Sequence, residues 1–192
     1  MQKKVLDNLF KQGGLTLFAF PGESEIPLET LQSFALAMNV GARFVIVDFS
    51  GKNHFKGNTN FTCDSLFEGI LTKEDLDKLS AEEPGCIIAG GRSLPLNDTQ
   101  FRNFYHNLQL IKKFAPQVIG ILPCEISEEE ASRISLLARL LVIDAQSAEM
   151  ASVYLEDTPS LQKIPLLWLL PKAPIKKRFP RAAKVVSKSE SF

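Results

Sequence analysis

The chain has 192 residues, 45% of them hydrophobic and 23% charged, with 22 basic and 22 acidic side chains. These proportions exclude wholesale disorder and suit a single sizeable core. The longest apolar runs, such as 164–170, fall well short of the roughly 20 residues that span a bilayer, and no signal-peptide core opens the chain. Cys63, Cys86 and Cys124 are odd in number, widely spaced and without clustered histidines. A disulfide framework and a zinc site are therefore not expected, and a reducing cytoplasm is the expected location.

In chain order, Gly14 to Phe20 is a short apolar run stopped by Pro21-Gly22, the pattern of a buried strand ending in a turn. Leu28, Leu31, Phe34, Ala35 and Met38 fall at helical spacing, and Arg43 to Asp48 is β-branched and short, a second buried strand. Thr72 with Asp75 three residues on predicts a capping box and a helix through Leu79, followed by a strand over Gly85–Gly90. Phe101, Phe104, Leu108 and Ile111 mark an amphipathic helix between Asn97 and Phe114. Val118 to Leu122 is a strand, Ser127 with Glu130 a second capping box before a helix to about Ala138, and Leu140 to Ile143 a further strand. Ser147 to Glu156 is helical in pattern, and Ile164 to Leu170 is the last expected strand.

Six apolar strands alternating with helices predict an α/β fold, a mostly parallel sheet covered by helices on both faces. The domain is expected to span residues 1–171. Residues 172–192 form a basic, flexible tail in this reading, with seven basic residues (Lys172, Lys176, Lys177, Arg178, Arg181, Lys184 and Lys188) against Glu190. Taking these from the 22 and 22 leaves 15 basic and 21 acidic residues, an acidic body carrying a basic tail.

The segment from Phe20 to Met38 begins Phe-Pro-Gly-Glu-Ser-Glu-Ile-Pro where a strand hands over to a helix. It resembles the Pro-Gly-Glu-Gly-Lys-Ser-Thr start of the bacterial tyrosine kinases of capsule and exopolysaccharide export, which belong to the MinD/ParA class of P-loop ATPases. Gly41 to Asp48 looks like the strand carrying that family's second acidic motif, Phe67-Glu-Gly-Ile-Leu like its Gly-Leu segment, and Pro84 to Gly90 like its next strand. The resemblance implies a P-loop NTPase-like, MinD/ParA-type three-layer sandwich.

The departures carry the functional expectation. A phosphate loop needs glycines so that backbone N–H groups can wrap the phosphates, a Lys to neutralise them and a hydroxyl to hold magnesium. In the degenerate loop Pro21, Gly22, Glu23, Ser24, Glu25, Ile26, Pro27, the glycine position is Ser24, the lysine position is Glu25, and the hydroxyl positions are Ile26 and Pro27. A carboxylate there repels a triphosphate, and Pro27 removes a backbone donor from the helix start. The later acidic motif aligns with Val118–Pro123, where Ile121 or Leu122 replaces the Asp. Asp48 is the residual acidic position, and an Asp at a strand end also serves as a turn former. No catalytic residue, cofactor or metal is expected. Tyr105 and Tyr154 fall inside predicted helices, so the tail lacks the family's tyrosine cluster.

Other features weigh less. His54 and His106 stand in no metal-ligand spacing. Glu125 with Glu128, Glu129 and Glu130 has the composition of a metal cluster, but three acids in the first turn of a helix are what its dipole favours. Gly90-Gly91-Arg92 follows a strand, either as an anion-binding turn or as glycines used for conformation.

The expected function is that of a catalytically inactive P-loop ATPase-like protein, a pseudokinase acting as scaffold or regulator in exopolysaccharide synthesis or export. The alternatives are a ParA/MinD-like positioning or segregation partner, or a nucleotide-binding enzyme with a non-standard loop. The implied partner is a membrane-associated or ATPase component of the same system. The basic tail suits contact with an anionic membrane at the inner face of the cytoplasmic membrane. The acidic body disfavours nucleic acid, and oligomerisation stays open.

Overall fold

The computed structural model describes residues 13–22, 43–51, 57, 60–82, 85–91, 94, 97–170 and 183–187, with the backbone alone at 168, 170 and 183–187. Its strands are β1 (Gly14–Ala19), β2 (Phe44–Asp48), β3 (Gly85–Ile88), β4 (Gln117–Ile121), β5 (Ala138–Asp144), β6 (Leu166–Leu170) and β7 (Ala183–Ser187). They pair in the order β3-β2-β4-β1-β5-β6-β7, every pair parallel. The chain is thus the expected α/β protein with a parallel sheet, consistent with a P-loop NTPase-like three-layer sandwich.

The central strands are mostly apolar because both faces of the sheet are buried there. Alternation sends Leu15, Leu17, Val45 and Val47 to one face and Phe18, Phe44 and Ile46 to the other, all at most 4% exposed. Full burial of each such side chain contributes about 1.5–3 kcal/mol. Among the described residues, every helix sends its buried side chains to the first face, while the second cluster draws on strands and their ends.

The helices are α1 (Cys63–Glu68), α2 (Lys73–Ala81), α3 (Asp98–Ile111), α4 (Glu128–Ser135) and α5 (Ala148–Asp157). Both expected capping boxes form. Asp75 accepts from the Thr72 N–H at 2.8 Å and returns its own N–H to the Thr72 hydroxyl, and Glu130 accepts from the Ser127 N–H at 3.0 Å. Asn97 and Ser147 cap α3 and α5 by accepting from Gln100 and Met150. Between α1, α3 and the end of β2, Phe104 meets Phe49 and Phe67 edge-on, with ring centroids 5.5 and 5.6 Å apart. Gly120 of β4 makes room for this cluster, since a Cβ there would lie 2.7 Å from the Phe49 ring.

Two boundaries differ from expectation. Helix α4 stops at Ser135, and Ala138, placed by the sequence pattern at the helix end, already pairs with Leu15. Arg139 anchors this early start by laying its stem against Gly14 and donating from Nη2 to Gln117 Oε1 at 2.9 Å. Pairing to the sheet overrides the local pattern there. Similarly, the segment expected as a flexible tail contains β7, which extends the sheet along β6 from Leu166↔Ala183 to Leu170↔Ser187. The β-branched pair Val185-Val186 suits a strand, but prolines and bases dominate its surroundings in the sequence. The expected helix around Leu28–Met38 lies outside the described residues. No described helix is long and apolar enough to cross a membrane.

Candidate functional site at the carboxyl edge of the sheet

In open parallel sheets, ligands bind outside the carboxyl ends of the strands. Here the ends of β2, β4 and β1 lie side by side, with Asp48 opposite Ile121 and Ile121 opposite Phe18. The ladder runs on into the loops, for Phe49 donates to the Ile121 carbonyl at 2.9 Å and Leu122 to the Phe18 carbonyl at 2.8 Å.

Of the segment expected to be a degenerate phosphate loop, Pro21 and Gly22 are described, and Glu23, Ser24, Glu25, Ile26 and Pro27 lie outside the described residues. Pro21 is buried, and Gly22 has φ +73°. The Met150 methyl group of α5 occupies the space beside Gly22, so a Cβ there would overlap it. One side of the turn is therefore packed by an apolar side chain, while Gly22 itself stays exposed.

Asp48 is 2% exposed. Its Oδ1 accepts from the Ser50 N–H at 2.9 Å, an Asx-type turn, and its backbone oxygen accepts from the Cys63 thiol at 3.2 Å. Its Oδ2 is buried and accepts no hydrogen bond. One oxygen thus does the turn-forming work and the other is left over.

Ile121 and Leu122, the positions aligned with the later acidic motif, are 0% and 1% exposed and belong to the apolar core. A buried acid missed by the sequence reading is Asp144, 1% exposed at the end of β5. The signal was present, since Leu140–Asp144 closes an apolar run with Asp as 43–48 does. Strand alternation puts Asp144 on the same sheet face as Asp48, but β4 and β1 lie between them. At ~4.8 Å per strand that separates them by on the order of 14 Å, too far to share an ion. Among the described residues, no three or more His, Cys, Asp and Glu side chains gather as metal ligands do.

The chain matches no protein-family model, and none of the curated proteins compared with it is significantly similar.

The minor candidates resolve into structural roles. Gly90 and Gly91 have φ +87° and +83°, and the Gly90 carbonyl accepts from the Cys63 N–H at 3.0 Å. A Cβ on Gly91 would lie 2.9 Å from Asp64 Cγ, so this turn already faces a carboxylate and is ill suited to an anion. Arg92 lies outside the described residues. The acidic run disperses, because Glu128 bonds Ser160, Glu129 pairs with Arg133 at 3.0 Å and Glu130 serves the capping box.

His106 and Tyr105 are exposed on α3, His54 lies outside the described residues, and Tyr154 is buried on α5. Cys63 and Cys86 are buried and Cys124 is half-buried. Burial, then the charges of Asp48 and Asp64, push the Cys63 thiol up to about 12, a buried, inert cysteine.

Proposed function

We propose that the chain is a catalytically inactive P-loop ATPase-like protein, a scaffold or regulator in exopolysaccharide synthesis or export. The observation that carries this reading is the apolar filling at the carboxyl end of β4. Ile121 and Leu122 lie in the core where magnesium would need an acid, and Met150 packs beside Gly22 where the chain leads into the loop. The loop sequence supports the same conclusion, with Glu25 in place of the phosphate-neutralising Lys and no hydroxyl after it. A fold that keeps its sheet and loses its phosphate cradle remains useful as a docking surface. The partner in this reading is an intact ATPase or the cytoplasmic part of a membrane protein. The basic residues between 172 and 188 add attraction to an anionic surface, on the order of 1 kcal/mol for each that reaches it.

Isothermal calorimetry with millimolar ATP or ADP and magnesium tests the central claim. No heat of binding is expected, and saturable binding with a micromolar constant would overturn it. Glu25→Lys alone is expected to leave phosphate release at background, since the hydroxyl and the second acid stay missing.

A further inference from the structure

We draw no further inference here: the strongest candidate, the open cleft between α1 and the first turn of α3 lined by Phe67, Glu68, Asn97, Asp98, Arg102 and Asn103, rests on a single helix N-terminus at which Asn97, Arg102 and Asn103 already bond the chain's own backbone, and nothing in the structure points to a ligand there.

Discussion

Met150 of α5 lies against Gly22, so the turn leaving β1 is held between a positive φ of +73° and a methyl group with no room beside it. Two independent costs therefore fall on Gly22→Ala. The backbone conformation costs about 1 kcal/mol for a residue with a Cβ, and the overlap with Met150 adds a part that a flexible side chain can relieve. We expect Gly22→Ala to lose about 1–2 kcal/mol in urea unfolding. Adding Met150→Ala should recover the steric part and leave the backbone part, a coupling of about 0.5–1 kcal/mol in the double-mutant cycle. Strictly additive losses would show that Met150 does not close the turn.

Asn107 is the polar centre of the α1–α2 connection. Fully buried on α3, it accepts from the Leu71 N–H at 2.9 Å and donates to the carbonyls of Leu66 and Gly69 at 2.9 and 2.7 Å. Removing it strands a donor and two acceptors beside the Phe49–Phe67–Phe104 cluster. With about 1–3 kcal/mol for each unsatisfied group and some entry of water, Asn107→Ala should lose ~2–5 kcal/mol. Amide exchange at Leu71 should speed up more than in the sheet. An Asn107→Ala protein as stable as the wild type would contradict this role.

The Cys63 thiol gives stability a dependence on alkaline pH. Its pKa rises from 9.0 to about 12 on folding, first through burial and then through Asp48 and Asp64. A group whose pKa is higher in the folded state contributes fully below its unfolded value and loses that contribution as pH rises toward the folded value. The slope approaches 1.4 kcal/mol per pH unit where the two states differ by about one proton. Wild-type stability should therefore fall more steeply than that of Cys63→Ala between about pH 9 and 11. Tyr154, whose pKa burial also raises, affects both proteins alike. Parallel curves would show that the thiol ionises equally easily in both states.

The parts of the fold legible in the sequence are those set by local chemistry. Thr72 with Asp75 and Ser127 with Glu130 mark helix starts because a capping box needs two residue types at one spacing. The strands over 14–19, 44–48 and 117–121 stand out because burial on both faces demands unbroken apolar runs. What depended on contacts distant in sequence was hidden. Ala138 looks like a helix end until Leu15 pairs with it, and Asn107 looks like a polar position on an amphipathic helix until the α1–α2 turn closes over it. The candidate site divides in the same way. The absence of a Gly-Lys-Ser or Gly-Lys-Thr run from 21–27 is plain in the sequence, whereas the packing of Met150 against Gly22 exists only once α5 is placed.

The carboxy-terminal segment provides the last prediction, and the structure reverses the expectation drawn from its composition. A basic, proline-rich tail should be dispensable for folding, so truncation after Ala173 would cost nothing if residues 172–192 were a free tail. Instead β7 forms a parallel ladder of five residue pairs with β6. Each backbone hydrogen bond of such a ladder contributes about 0.5–1.5 kcal/mol net. Ordering the backbone costs about 1–2 kcal/mol per residue, which offsets much of that gain. The net loss on truncation should then be modest, about 2 kcal/mol, or ~4–8 °C in Tm for a chain of this size. Truncation also leaves the edge of β6 exposed as a template for pairing with other chains, so the shortened protein should aggregate more readily on heating. Hydrogen exchange separates the two descriptions directly. Amides in 183–187 should exchange more slowly than in an unfolded peptide of the same sequence, and Val186→Pro should abolish that protection while removing no charge. If 183–187 exchange at the rate of an unfolded peptide and truncation leaves Tm unchanged, the strand does not hold in solution and the sheet ends at β6.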